Sequence, residues 1–120
     1  MALTYTTDGE NAIIDGWNAQ CANGTLELRE SDETVVATIA LGATPWAAAA
    51  AGAAALTAEV EDLAADASGT VAKFVIFDSG ANALVSGSVT PTGGGGDLTG
   101  PSLVITIGDI VTILTLPLAV

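Results

Sequence analysis

From Thr25 onward the chain changes period, and that change restricts its fold more than any other feature. Thr25-Leu26-Glu27-Leu28-Arg29-Glu30 alternates apolar and polar residues, with Leu26 and Leu28 on one side and the charges on the other. Ser31-Asp32-Glu33 interrupts the run as a turn. Val35, Ala37, Ile39 and Leu41 then share one side, while Thr38 and Ala40 take the opposite one. A period of two sends successive side chains to opposite faces of a sheet, so these segments predict a hairpin of half-buried antiparallel strands.

The same signals recur further along. Val71 to Phe77 is β-branched and aromatic, Asp78-Ser79-Gly80-Ala81-Asn82 reads as a loop, and Leu84 to Val89 as the returning strand of a second hairpin. Leu103 to Ile107 and Ile110 to Leu116 flank Gly108-Asp109, a turn of the Gly-X kind, and predict a third. Both faces of this last hairpin are apolar, so either it lies between layers or another subunit covers one face. Thr90 to Pro101 is a Gly/Pro/Thr loop whose run Gly93-Gly94-Gly95-Gly96 is mobile unless a neighbour pins it. Six strands, with turns about every 8–12 residues, predict a mainly β protein: a single antiparallel β-sandwich or jelly-roll-like domain over residues 1–120, its strands within 25–116.

One short helix precedes the strands, at about residues 8–22, after an N-terminal arm over 1–7. Thr7-Asp8-Gly9-Glu10 has the spacing of a capping box, and Asp8 and Glu10 place negative charge at the positive end of the helix dipole. Ile13 and Trp17 fall one turn apart with Ile14 and Cys21 beside them, which predicts docking by one face. Asn23-Gly24 supplies the stop. The segment from Trp46 to Asp66 is ambiguous. Its alanines at 47–51 and 53–55 favour helix by propensity, but Gly52 splits them and the surrounding strands favour an extended chain, toward which the reading leans.

Charge narrows the function. Fourteen carboxylates stand against two cations, Arg29 and Lys73, with no histidine and a formal net charge of −12. Such a chain repels phosphate backbones and anionic membrane surfaces, so neither nucleic acid nor membrane is an expected partner. The charge instead favours solubility and keeps copies apart. Met1 to Tyr5 lacks the basic and apolar parts of a signal peptide, and the apolar stretch Leu103–Val120 is broken at Gly108-Asp109. Synthesis in the cytoplasm without insertion into a membrane is the expectation. Cys21 is alone, which leaves no intrachain disulfide and predicts an inert, partly buried thiol.

The inventory for catalysis is thin. Without histidine there is no Ser-His-Asp or Cys-His pair, and the commonest general base is missing. The carboxylate pairs Glu27/Glu30, Asp32/Glu33 and Glu59/Glu61/Asp62 sit where strands turn or face solvent, so they read as solvated surface before they read as an acid–base pair. Zinc lacks its nitrogen and sulfur ligands, and Asp62 to Asp66 does not have the spacing of a calcium loop. The glycine run leads to Asp97 without the Gly-Lys-Ser/Thr of a phosphate loop. The expectation is a protein that binds or builds, with no enzyme activity, cofactor or metal. Trp46, after Pro45, is either an exposed anchor or a buried strand residue.

Several stretches together resemble a family of small tailed-bacteriophage virion proteins. They are the opening Met-Ala-Leu-Thr, Asn11-Ala12-Ile13-Ile14-Asp15, Gly24-Thr25-Leu26-Glu27-Leu28-Arg29 and Val36-Ala37-Thr38-Ile39-Ala40-Leu41. They continue in Ala65-Asp66-Ala67-Ser68-Gly69-Thr70-Val71-Ala72, Phe74-Val75-Ile76-Phe77-Asp78-Ser79 and Ile110-Val111-Thr112-Ile113-Leu114-Thr115-Leu116-Pro117. The resemblance spans nearly the whole chain, consists of strand and turn chemistry, and fails in the alanine-rich middle. It implies a viral structural protein: a capsid decoration protein on the capsid exterior, bound to the major capsid protein, itself a homotrimer. A tail- or fibre-associated module and a carbohydrate-binding adhesion module are the alternatives. The expected interface residues are Leu3, Tyr5, Trp46, Val111 and Ile113.

Overall fold

The computed structural model describes residues 4–56, 60–100, 102–113 and 118–119, with the backbone alone for 60, 112, 113, 118 and 119. One helix, α1 (Thr7–Cys21), precedes β1 (Thr25–Arg29), β2 (Val35–Ala40), β3 (Ala53–Ala54), β4 (Val60–Asp62), β5 (Gly69–Thr70) and β6 (Lys73–Phe77). After these come β7 (Ala83–Pro91), β8 (Leu98–Gly100), β9 (Val104–Ile105), β10 (Val111–Ile113) and β11 (Leu118–Ala119). The main sheet has the order β2-β1-β6-β7-β8 and is mixed, because β7 and β8 run parallel while its other neighbours are antiparallel. It curls into a half-barrel.

The alternation predicted for the first hairpin is the one that forms. Leu26 faces Ile39 on one neighbour and Ile76 on the other, Leu28 faces Ala37 and Phe74, and all six are buried. Val36, on the opposite face of β2, is also buried, because the chain after β4 lies along that edge: Asp66 and Ala67 both donate backbone N–H groups to the Val36 carbonyl. Asp62 completes the cover by accepting from the Thr38 N–H at 3.0 Å, so a carboxylate stands where a further strand would pair.

Two expectations for α1 shift. The cap is Thr6, not Thr7: the Thr6 hydroxyl accepts from the Gly9 N–H at 3.2 Å. Glycine three residues after the cap has no side chain to reciprocate, so half of a capping box forms, while Asp8 and Glu10 remain in the first turn. Ile14 and Cys21 are buried, Trp17 is half-buried against the core, and Ile13 points outward.

The alanine-rich segment is extended. Trp46 bridges Leu56, and Ala50 bridges Ala53 around a two-residue turn at Ala51-Gly52 with φ of +52° and +76°. Two positive φ values mark the primed turn that matches strand twist. Three side chains of α1 hold the segment from the side. Asn18 donates to the Trp46 carbonyl at 2.7 Å and accepts from its N–H at 3.1 Å, Asp15 accepts from Ala49 N–H, and Asn11 accepts from Gly52 N–H, the last two at 2.9 Å. Positions 11, 15 and 18 share one face of a helix, so this stripe serves as a surrogate strand. Local propensity loses to these bonds and to burial of the Trp46 ring, which is 0 % exposed.

The third hairpin does not form as expected. Gly108, at φ +89°, does turn the chain, but β9 pairs with β5 and β10 pairs with β4. Asp62 lies opposite Val111, Ala65 bonds with both Gly108 and Asp109, Gly69 lies opposite Ile105, and Val71 donates to Leu103. Residues 60–71 and 103–113 therefore form one antiparallel ribbon with a break near Ala65. The physical reason is partner choice: the Gly108 turn is spent on keeping the chain against Ala65, and both arms find their hydrogen bonds on the earlier segment.

The glycine run is pinned. Gly93 and Gly95 have positive φ, and a Cβ on Gly94 or Gly96 would lie 2.8 Å or 2.7 Å from the Thr90 hydroxyl oxygen. Two glycines supply conformation and two supply space, which lets residues 92–97 join parallel neighbours over a far shorter path than the usual crossover of a dozen or more residues. Ser88 N–H donates to Asp97 at 3.0 Å and Gly96 N–H to Thr90 at 2.9 Å, closing the loop.

Candidate docking surface

The most unusual surface lies on the outer ribbon. Leu63, Val104, Ile107 and Ile110 are 69 %, 71 %, 63 % and 65 % exposed. Leu63 and Ile110 follow and precede the paired residues Asp62 and Val111, Val104 lies opposite Thr70, and Ile107 adjoins Gly108, so the ribbon gathers all four. Its turn is held in place: Ala65 N–H donates to the Asp109 carbonyl at 2.8 Å, Gly108 N–H to the Ala65 carbonyl at 3.0 Å, and Ile107 N–H to the Ser68 hydroxyl at 2.8 Å. The Asp109 carboxylate accepts from Thr106 N–H at 2.9 Å. Large apolar side chains carried outward on a hydrogen-bonded frame are preorganised for contact.

The neighbouring carboxylates are held by local donors, and Asp62 and Asp66 are turned toward β2. Asp62 accepts from Thr38 and Ala64 N–H groups, Asp66 accepts from the Thr38 hydroxyl at 2.8 Å, and Asp109 lies in the turn itself. The two cations are engaged elsewhere. Arg29 bonds Glu27 at 2.5 Å and Glu33 at 2.9 Å, Lys73 bonds Glu33, and the guanidinium sits 5.6 Å from the Phe77 ring centre. Hydrogen bonds from Lys73 first and Arg29 second hold the Glu33 carboxyl below its ordinary range, and the bond to Glu27 leads in raising Arg29.

The expected interface residues have separate settings. Tyr5 is half exposed just before the Thr6 cap, Trp46 is fully buried, and Val111 is partly buried against the core. Ile113 has its backbone in β10, and Leu3 lies outside the described residues. Val111 belongs to the ribbon that carries the exposed quartet; Tyr5 and Trp46 do not. The quartet escaped the sequence reading, although a signal existed: isoleucines at 107 and 110 bracket a Gly-Asp turn, where polar residues are usual.

Other groups with chemical potential are engaged. Burial first, and the Asp78 carboxylate second, push the Cys21 thiol up to about 11, so it stays protonated. The neighbour responsible is Asp78, because the loop after β6 lies beside the end of α1, where Gln20 donates to Asp78 at 3.1 Å. An open groove of about 410 Å³ beside β6 and β7 includes Lys73, but that ammonium is already bonded to Glu33. Among the described residues no cluster of three or more His, Cys, Asp or Glu could hold a metal ion, and no helix is long and apolar enough to cross a membrane. Comparison with protein-family models, with curated proteins and with solved structures finds no match to this chain.

Proposed function

We propose that this protein is a structural component of a bacteriophage particle, a capsid decoration protein seated on the outer surface of the major capsid protein lattice as a homotrimer. The observation that carries the reading is the exposed apolar quartet on the hydrogen-bonded ribbon of a strongly acidic molecule. An accessory subunit needs an apolar face for the shell and a soluble remainder, and a charge of −12 also discourages particles from adhering to one another. The resemblance to tailed-phage virion proteins points the same way. On this reading the curled sheet and the ribbon are the two layers of a sandwich or jelly-roll-like domain, and the protein acts by docking, without catalysis or a cofactor.

A tail- or fibre-associated module shares this chemistry and differs in partner and copy number. The adhesion alternative depends on tryptophans offered to sugar rings; Trp46 is buried and Trp17 half-buried, so no observation favours it. The test is electron cryo-microscopy of purified particles with quantification of the bound chain. Copies at regular lattice points on the shell are expected. A few copies at the tail would transfer the protein to the tail reading, and no copies on any particle would overturn both.

A further inference from the structure

We propose that Asn23-Gly24 is a self-modification site, a deamidation site that the fold both requires and suppresses, so that its conversion reports opening of the junction between α1 and β1. The turn over Cys21–Gly24 dictates both residues. Ala22 lies at φ −54° and ψ 129°, Asn23 at φ +58°, and Gly24 N–H donates to the Cys21 carbonyl at 2.9 Å. These are the angles of a type II turn, whose third residue must hold a positive φ, which asparagine tolerates. Gly24 then passes so close to β6 that a Cβ on it would lie 2.0 Å from the Phe77 carbonyl oxygen, so only glycine fits. Asparagine followed by glycine is also the pair in which the next backbone nitrogen most readily attacks the side-chain amide, because glycine has no side chain to hinder the approach. The other asparagines, Asn11, Asn18 and Asn82, each precede alanine.

In the reaction the Gly24 nitrogen loses its proton to solvent base and bonds to Asn23 Cγ. The Cγ–Nδ2 bond breaks, ammonia leaves, and water then opens the succinimide to aspartate or isoaspartate. Asn23 is exposed, so water reaches it. The folded turn withholds the nitrogen. Gly24 is buried, its N–H is engaged by Cys21, and ring closure needs a rotation about the Asn23 Cα–C bond that breaks this hydrogen bond. Two further bonds resist the same rotation: Asn23 N–H donates to the Gly42 carbonyl at 2.6 Å, and Leu41 N–H to the Gly24 carbonyl at 3.0 Å. Conversion therefore proceeds through molecules in which the junction has opened, at a rate set by their population. Isoaspartate lengthens the main chain by one carbon, so these bonds cannot all re-form and the opened state is trapped. Aspartate keeps the ordinary backbone and tolerates the turn.

The test uses the full chain at mildly alkaline pH. Conversion at each asparagine is followed by peptide mapping with mass spectrometry, and hydrogen exchange of the Gly24 amide is followed in parallel. In urea above the unfolding midpoint, Asn23 is expected to convert ahead of Asn11, Asn18 and Asn82. In the folded protein its conversion should be at least about tenfold slower than in urea, and should rise through sub-denaturing urea in step with exchange of the Gly24 amide. Chains carrying isoaspartate at position 23 should melt at a lower temperature than the unmodified protein, whereas Asn23→Asp should melt close to it. Conversion of Asn23 in the folded protein at the unfolded rate would overturn the proposal. So would conversion that does not follow Gly24 exchange, or isoaspartate chains that melt like Asn23→Asp.

Discussion

Ala51 stands where a primed turn favours asparagine or glycine. At φ +52° its Cβ crowds the backbone, whereas asparagine tolerates the left-handed region and Asn-Gly is the preferred pair for this turn. Ala51→Asn should stabilise the protein by about 0.5–1 kcal/mol, measured as a raised urea midpoint at unchanged slope. A lowered midpoint would show that the turn is not the primed one. Gly52 cannot be relieved in the same manner, because its φ is positive and a Cβ there would overlap the Glu10 carboxylate. Legibility at this scale is uneven. The helix stop at Asn23, with φ +58°, follows from residue chemistry alone, whereas the raised pKa of Cys21 depends on its full burial and on Asp78, which the fold supplies. The choice of Thr6 over Thr7 as the cap is not legible either, since both are threonines and the selection depends on where the helix finds its neighbours.

At the scale of elements, the contact between α1 and the alanine-rich hairpin is the feature that organises the middle of the chain. Asn18 satisfies both polar groups of the Trp46 backbone, so Asn18→Ala leaves a donor and an acceptor without their partner beside a buried ring. That change should cost about 1–3 kcal/mol and speed hydrogen exchange at the Trp46 amide. Asp15→Asn, which retains an oxygen to accept from Ala49, should be close to neutral; a loss as large as that of Asn18→Ala would mean that charge rather than the hydrogen bond holds the segment. The first two hairpins are readable because their strands are neighbours in sequence, the first pair carrying its own alternation and the second a β-branched, aromatic run followed by a turn. The third was misread because its arms look like mutual partners, and only a choice between near and distant hydrogen-bonding partners separates the two pairings.

For the whole molecule, electrostatics sets the response to solution conditions. The protein measures 44 × 29 × 24 Å, and the screening length is about 30 Å at 0.01 M salt but about 10 Å at 0.1 M. At low salt the repulsion among its carboxylates therefore spans the molecule, and raising salt at neutral pH should raise the melting temperature. A melting temperature that falls instead would mean that the Arg29–Lys73 ion-pair cluster outweighs the general repulsion, contrary to the small contribution of exposed pairs. With repulsion screened, acid acts through Asp32, Glu33 and Asp78, whose carboxyls are held below their ordinary range, the first chiefly by the Thr34 N–H, the second by Lys73 and the third by the Asn82 N–H. A depressed folded value means stabilisation that is present above the ordinary carboxylate range and lost as pH falls through it. At high salt the melting temperature should accordingly drop below about pH 4, and Glu33→Gln should flatten that drop.

Composition and period by themselves determined a mainly β protein with one N-terminal helix, a buried face of Leu26, Leu28, Ala37 and Ile39, an acidic surface, and an expectation of docking rather than catalysis. These follow from properties each residue carries with it: side-chain alternation, turn preference and charge. The tertiary structure decided the rest. It made the alanines extended by lending them the Asn11–Asp15–Asn18 stripe, folded the glycine run into a tight parallel connection against Thr90, and paired 60–71 with 103–113 to leave Leu63, Val104, Ile107 and Ile110 facing water. The physical reason is common to all three. Each depends on which distant backbone groups satisfy a segment's hydrogen bonds, and that information is held by the partner rather than by the segment.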